Sequence, residues 1–280
     1  MTTGQARPAR PAIHPDTEET EPIMTGSTSR TAQAWLPFGV GEPAQPRLYC
    51  FPNAGAGAAS FATWRRLAPP GITVCPVQLP GRAERFRESR YERVGPLVTD
   101  FASALGADLG GPYVLFGHSV GALVAFEVAH RLRDIGAQQP VHLFVAGRAA
   151  PQLPHTRKLL ADLPTDELIE ELRYMGGTPE GVLRDKELMA ALLPTVRADA
   201  AVNEVYDYQH PVPLDIPLTV FGGRSDPRAA EDELRAWEGL TSASFDLRMF
   251  PGGHFFIYDH TQEIMNIMTR PLLSEVKGFA

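Results

Sequence analysis

Short, continuous apolar runs alternate along this chain with longer segments of helical periodicity. The segment at 94–109, for example, carries Val94, Leu97, Phe101 and Leu105 at helical spacing. Unbroken apolar runs are typical of strands that are buried on both faces of a sheet. The sequence therefore predicts an α/β fold with a mostly parallel central sheet flanked by helices. The predicted strands are RLYCF (47–51), GITVCPVQLP (71–80), YVLFG (113–117), VHLFVAG (141–147), LTVFGG (218–223) and FDLRMF (245–250).

The 280 residues, 44% of them hydrophobic, suffice for one large domain. Residues 1–30 are rich in Pro, Thr, Glu and Arg and lack periodicity, so we expect a disordered extension before a domain at 31–280.

About 70 residues separate the strands at 141–147 and 218–223, far more than a crossover needs. Helical patterns fill this stretch, which predicts a helical lid insertion at about 151–212; a decorative subdomain is the alternative.

The overall charge and hydropathy exclude several classes of protein. A net charge of −7 argues against a chain whose main partner is nucleic acid. No run approaches the roughly 20 apolar residues that span a membrane, and the N-terminus lacks the apolar segment of a secretory signal. We therefore expect a cytoplasmic protein with no membrane partner. Cys50 and Cys75 lie within apolar runs and are expected to be buried hydrophobic residues without a redox or disulfide role.

The segment LFGHSVGAL contains Gly117-His118-Ser119-Val120-Gly121, which fits the pattern G-x-S-x-G. It follows a predicted strand and precedes a predicted helix, as a nucleophile elbow requires. A serine in such a strained turn needs neighbours without bulky side chains, because the strand and the helix approach closely. Ser119 would then lie at the carboxyl end of the sheet, where open α/β folds bind ligands. The sequence predicts that Ser119 is a nucleophile; an ordinary turn is the alternative.

A serine hydroxyl needs an adjacent base to act as a nucleophile. Among eight histidines, His254 lies in the Gly-rich loop PGGHFF after the last predicted strand, whereas His118 is expected to point away from the nucleophile. Asp226 follows the strand LTVFGG and would orient the imidazole and stabilise its protonated form. The order Ser, Asp, His is that of this elbow class. Asp207 and Asp215 are weaker alternatives for the acid, since they precede that strand.

A tetrahedral oxyanion also needs preformed hydrogen-bond donors. We expect one to be the backbone N–H of Val120, which follows the nucleophile, and the other to be the N–H of Ala54 in CFPNAGAGAASF. A phosphate-binding role for this Gly-rich loop is disfavoured, because it lacks both the Lys-Ser/Thr ending of a Walker loop and the G-x-G-x-x-G spacing. None of these motifs requires a cofactor or a metal ion.

Seven segments between about residues 47 and 260 carry a family resemblance: LYCFPNAGAG, VQLPGRAERF, LFGHSVGALVAFEVA, LFVAGRAAP, LLPTVRADAAVNEVYDY, FGGRSDP and FPGGHFF. Together they resemble the type II thioesterases, the stand-alone editing hydrolases of polyketide and nonribosomal peptide pathways. The resemblance implies an α/β-hydrolase fold, a mobile helical lid, and hydrolysis of aberrant or stalled acyl groups from the phosphopantetheine arm of acyl carrier proteins. It carries the nucleophile onto Ser119, the acid onto Asp226 and the base onto His254.

The chain departs from this family at Asn53, where many members have a histidine, and in its long N-terminal extension. Because the expected donor at this loop is backbone, Asn53 should alter packing or access more than the chemistry. Ester, amide and thioester hydrolases share the same catalytic groups. A small-molecule carboxylesterase, an acyl-CoA hydrolase and a non-catalytic binding partner therefore remain as alternatives.

A carrier protein is usually acidic, so docking on this acidic chain would need a local positive patch. The segment GRAERFRESRYER offers one; the alternative is a solvated face whose charges are balanced by Glu84, Glu88 and Glu92. The arginines of this candidate patch are Arg82, Arg85, Arg87, Arg90 and Arg93.

Overall fold

The chain is described by a computed structural model that covers Met1, residues 30–105 and residues 109–278. Apart from Met1 and Arg30, the predicted N-terminal extension lies outside the described residues. Within them, six strands form one sheet in the order β2-β1-β3-β4-β5-β6, and each neighbouring pair is parallel. The predicted fold class is confirmed. The strands are β1 (Arg47–Phe51), β2 (Thr73–Pro76), β3 (Tyr113–His118), β4 (His142–Ala146), β5 (Leu218–Gly223) and β6 (Phe245–Phe250).

Helices connect the strands and cover the sheet, and short 3₁₀ segments lie at 58–61, 83–85 and 236–240. The predicted helix at 94–109 ends at Leu105 in the described residues, and 106–108 lie outside them. The helices are α1 (Arg30–Trp35), α2 (Ala62–Leu67), α3 (Val94–Leu105), α4 (Val120–Asp134), α5 (Thr165–Met175), α6 (Glu180–Arg184), α7 (Lys186–Glu204), α8 (Glu231–Arg235), α9 (Phe256–Asp259) and α10 (Thr261–Gly278).

Both faces of the sheet are buried, which explains the continuous apolar runs. Successive side chains of a strand point to opposite faces. Leu48 and Cys50 of β1 accordingly belong to one apolar cluster, whereas Tyr49 and Phe51 belong to another on the opposite face. The edge strand β6 differs, because exposed and half-buried residues alternate along it. Apolar packing on both faces therefore stabilises the central strands. Because the strands are parallel, their carboxyl ends all lie at the same end of the sheet.

The segment between β4 and β5 contains α5, α6 and α7. These helices enclose an apolar cluster of their own, separate from the two clusters beside the sheet. The sequence indicates three helices in this segment, at 165–172, 186–193 and 196–206. The structure has α5 at the first of these, but one continuous helix, α7, in place of the other two, with Pro194 inside it. Residues on both sides of Pro194 pack into the same cluster, and this shared packing offsets the helix-breaking effect of proline. The cluster contains Leu160, Leu168, Leu183, Met189, Leu193, Val196 and Ala200.

Cys50 on β1 and Cys75 on β2 are both buried free thiols. Burial raises the pKa of both thiols, that of Cys75 to about 12, so neither is a reactive thiolate at neutral pH. Across the described ranges, no helix is both long enough and apolar enough to span a membrane. The cytoplasmic location stays a prediction from the sequence.

Candidate active site

Ser119 occupies a strained turn between β3 and α4. Its φ of 56° and ψ of −122° lie in a region that side-chain-bearing residues rarely adopt. Its N–H donates to the Ala146 carbonyl of β4 at 2.8 Å, and its carbonyl accepts from the Ala122 N–H at 2.9 Å. A conformation of this kind costs roughly 1–3 kcal/mol and persists where the surrounding structure enforces it. The predicted nucleophile therefore has the backbone geometry of an elbow.

The two glycines of the motif lie where no side chain fits. A Cβ on Gly117 would lie 2.0 Å from the Gly121 carbonyl oxygen, and a Cβ on Gly121 would lie 2.2 Å from the Phe51 carbonyl oxygen. Strand β3, helix α4 and the end of β1 approach one another at this point. The spacing of G-x-S-x-G thus reflects close backbone packing on both sides of the serine.

His254 and Asp226 form a buried pair at the ends of β6 and β5. His254 Nδ1 lies 3.0 and 2.9 Å from the two Asp226 carboxylate oxygens. The His254 side chain is 4% exposed and that of Asp226 is fully buried. Because a carboxylate only accepts, Nδ1 carries a proton and donates it to Asp226, which leaves Nε2 as the acceptor in the neutral ring. The backbone N–H of Arg228 also donates to Asp226 at 2.8 Å, which fixes the carboxylate.

His118 contacts the predicted base, and the sequence did not indicate this contact. Its Nε2 lies 2.9 Å from the His254 carbonyl oxygen and donates to it, since a carbonyl only accepts. Burial, together with the nearby His254, lowers the pKa of His118 to about 3, so the ring is neutral. The two rings lie 5.1 Å apart between centroids. The position of His118 beside Ser119 was visible in the sequence, but its partner 136 residues away was not.

A cavity of about 380 Å³ brings the predicted groups together: Ser119, Val120, Ala54 and His254 all line it. Asp226 lies behind His254, against its Nδ1. Arg148 contributes a partly desolvated guanidinium, and burial lowers its pKa to about 10. Apolar residues of the segment between β4 and β5 form much of the remaining wall: Leu153, Leu160, Leu172, Met175, Met189, Leu192 and Val196.

The candidate arginine patch at 82–93 is largely occupied by contacts within the chain. Arg82 is 7% exposed and paired with Asp199, so it is unavailable to a docking partner. Arg85 pairs with Glu88 and lies over the Trp35 ring. Arg90 donates to Thr195 of α7 at 2.8 Å. Arg87 and Arg93 alone of the five are exposed. The pairing of Arg85 with Glu88 instead agrees with the other interpretation of this segment, a solvated face whose arginines are balanced by glutamates.

Among the described residues, no group of three or more His, Cys, Asp or Glu side chains could hold a metal ion. Asn53, the departure noted above, lines the cavity and donates from its side-chain amide to the Ala54 carbonyl at 3.2 Å. The site is thus built from a serine, an imidazole, a carboxylate and backbone amides.

The fold and this site define the chain as an α/β-hydrolase, because the elbow serine and the His-Asp pair meet where the parallel strands end. Comparison with known proteins identifies the family. The family model described as Thioesterase domain matches residues 46–271, and the chain belongs to this family. It is a thioester hydrolase of the serine-hydrolase type.

Individual relatives confirm the resemblance to type II thioesterases. Gramicidin S biosynthesis protein GrsT of Aneurinibacillus migulanus is 40% identical over 233 residues, which cover 83% of this chain and 91% of the relative. Thioesterase PikA5 of Streptomyces venezuelae is 36% identical and covers 81% of both chains. The solved structure of BorB, the type II thioesterase from the borrelidin biosynthetic cluster, is 35% identical with a TM-score of 0.78, covering 85% of this chain and 98% of BorB.

Proposed function

We propose that this chain is a stand-alone type II thioesterase that removes aberrant or stalled acyl groups from the phosphopantetheine arm of acyl carrier proteins in a secondary-metabolite pathway. The observation that carries the proposal is the meeting of the strained Ser119 and the buried His254–Asp226 pair at one cavity. The names of the relatives support the pathway context: gramicidin S biosynthesis for GrsT and the borrelidin cluster for BorB.

In the proposed acylation, Ser119 Oγ attacks the thioester carbonyl carbon while His254 Nε2 takes the hydroxyl proton. Asp226 keeps the proton on Nδ1 and stabilises the imidazolium that forms. Val120 is the first residue of α4, so its N–H has no intrahelical acceptor and serves in this proposal as the first donor to the developing oxyanion. The Ala54 N–H is the second donor, and losing such a donor typically costs ~10²–10³ in rate.

Collapse of the tetrahedral adduct breaks the carbon–sulfur bond. The imidazolium of His254 gives its proton to the leaving pantetheine thiolate, and the acyl group stays on Ser119 as an ester. A water molecule then attacks this ester while His254 Nε2 accepts one of its protons. Collapse of the second adduct returns that proton to Ser119 and releases the free acid. The reaction consumes one water and needs no cofactor.

Residues 31–280 form one α/β-hydrolase domain in this proposal, and residues 151–212 act as its lid. Two observations support the lid: its helices have a separate apolar cluster, and they provide much of the apolar cavity wall. An apolar wall next to the serine suits an acyl chain. No nucleic acid or membrane surface is expected as a partner, and the charge of −7 supports the first of these expectations.

Labelling with a fluorophosphonate tests the nucleophile. We expect one adduct per chain, on Ser119, and none in Ser119→Ala. Ser60, a second serine that lines the cavity, provides the matched control, and Ser60→Ala should still be labelled on Ser119. Folded wild-type protein without an adduct would contradict the proposed mechanism.

A panel of acyl carrier proteins that differ in acyl chain length tests the substrate class. Hydrolysis in the wild type and none in Ser119→Ala is the expected result. If acyl-CoA or small esters are hydrolysed and no acyl carrier protein is, the editing role is wrong even though the enzyme is a serine hydrolase.

A further inference from the structure

Asp199, on helix α7, lies at the junction of the lid and the loop that carries Ala54. Its carboxylate accepts a hydrogen bond from the Gly55 N–H at 2.7 Å. It also accepts two from the Arg82 guanidinium, both at 2.8 Å. The Arg82 and Asp199 side chains are only 8% and 5% exposed. The hydrogen bonds of this buried ion pair offset the cost of removing its charges from water, whereas loss of either partner would leave an uncompensated buried charge.

The same ion pair holds the loop on both sides of Gly55. Arg82 Nη1 donates to the Ala56 carbonyl at 2.7 Å, so the N–H of one residue and the carbonyl of the next are both fixed. A turn closed by the Ala56 N–H and the Asn53 carbonyl, at 3.1 Å, contains Ala54. The peptide that follows Ala54 is therefore anchored directly by a side chain of the lid helix.

The loop also packs directly on α7. Gly55 has a φ of 74°, and a Cβ there would lie 2.7 Å from Val196 Cγ2. Thr195 adds a second tie, since its hydroxyl donates to the Gly81 carbonyl at 2.8 Å. Contacts other than those of Asp199 thus hold α7 against these loops. We therefore expect a variant at Asp199 to fold.

We propose that Asp199 is a positioning residue that sets the orientation of the Ala54 N–H, so that the oxyanion site is complete only when helix α7 is in its closed position. This inference rests on the proposed function, because it takes Ala54 as an oxyanion donor. Preorganised donors stabilise the transition state more than the bound substrate. The carboxylate therefore acts on the chemical step and not on acyl binding, and movement of the lid would change the rate of that step.

The test is Asp199→Asn, which keeps the shape of the side chain and removes its charge. Hydrolysis of an aryl ester is measured, so that the result does not depend on the carrier partner. We expect kcat per active site, counted by fluorophosphonate titration, to fall about 10–100-fold, a large part of the loss of a whole donor. KM should stay within about twofold, and the pH profile should keep its shape, since among the described residues no hydrogen bond joins Asp199 to His254 or Asp226.

Asp185→Ala is the matched control. Asp185 caps the same helix, accepting from the Glu187 and Leu188 N–H groups at 3.0 Å, and has no bond to the Ala54 loop. This variant should weaken α7 and leave kcat per titrated site unchanged. Arg82→Lys is the second variant: it keeps the charge, loses the paired hydrogen bonds, and should lower kcat in the same way as Asp199→Asn.

Three outcomes would overturn the inference. The first is an Asp199→Asn enzyme with fewer titratable sites but normal kcat per site, which is a purely structural effect. The second is an equal loss of kcat in Asp185→Ala. The third is a folded Arg82→Lys enzyme with normal kcat, which decides the matter if Asp199→Asn does not fold.

The rate of fluorophosphonate labelling separates this inference from the proposed function. If wild-type protein is not labelled at Ser119, the proposed mechanism fails and the inference fails with it. If wild-type protein is labelled and Asp199→Asn reacts at the same rate, only the positioning role of Asp199 is wrong. If wild-type protein is labelled and hydrolyses aryl esters but no acyl carrier protein, the substrate proposal is wrong while the role of Asp199 is still decided by kcat.

Discussion

The backbone strain at Ser119 predicts that glycine is the more stable replacement for the nucleophile. Ser119→Ala and Ser119→Gly both remove the hydroxyl, so both should lose hydrolysis. They differ in one respect: alanine keeps a Cβ at a φ of 56° and glycine does not. The difference in their free energies of unfolding therefore reports the strain at this position.

The magnitude follows from two opposing contributions. A side-chain-bearing residue in this conformation costs roughly 1–3 kcal/mol, which glycine avoids. Glycine in turn loses about 0.5–1 kcal/mol relative to alanine, because its unfolded chain is more flexible. We expect Ser119→Gly to be more stable than Ser119→Ala by about 1 kcal/mol, or about 2–4 °C in Tm for a domain of this size.

Urea denaturation of the two variants, monitored by circular dichroism, measures this difference. The matched control is Ala190→Gly, at an exposed position within α7 where the backbone is helical. This substitution should destabilise the protein by about 1 kcal/mol. If Ser119→Gly is less stable than Ser119→Ala by a similar amount, the elbow is not strained and the reasoning is refuted.

Three further predictions concern the neighbours of Ser119. Asp226→Asn should lower kcat by about 10³–10⁴-fold, because an amide favours the wrong tautomer of His254; a loss under tenfold in aryl ester hydrolysis would contradict the pairing. Folding holds the pKa of His118 at about 3, below its ordinary 6.5, so the unfolded chain binds more protons between these values. Stability is therefore lost as the pH is lowered from 6.5 towards 3, by about 1.4 kcal/mol per pH unit. In urea denaturation at pH 7 and pH 4.5, His118→Asn should lose less stability on acidification than wild type, and an equal loss would contradict the assignment. Gly121→Ala should cost at least about 1–3 kcal/mol through contact with the Phe51 carbonyl, and a urea midpoint equal to that of wild type would contradict the close packing.

The strands could be predicted from the sequence because burial on two faces leaves a direct record in it. A central strand such as β3 is buried at every position, and its first four residues, YVLF, are accordingly all apolar. Helix α7 could not be predicted as one element, since Pro194 removes a hydrogen bond to the Ala190 carbonyl and disfavours helical geometry at Leu193. Tertiary packing reverses this local preference, because Leu193 and Val196 are both buried in the apolar cluster formed by α5, α6 and α7.

The candidate site also contains features that could be predicted from the sequence and features that could not. The difference is how far apart the contacting residues lie in the chain. The elbow could be predicted because Gly117, Ser119 and Gly121 lie within five residues and their constraint is local. His254 and Asp226 lie 28 residues apart. Their pairing could be predicted only because the order Ser, Asp, His is known for this class of elbow. Asp199 and Gly55, which share a hydrogen bond, lie 144 residues apart in the chain. This bond joins helix α7 to the loop after β1, and the two meet only because the sheet has formed. An aspartate in a helix such as α7 has no local signature of that partner, so the positioning role proposed for Asp199 could be inferred only from the folded chain.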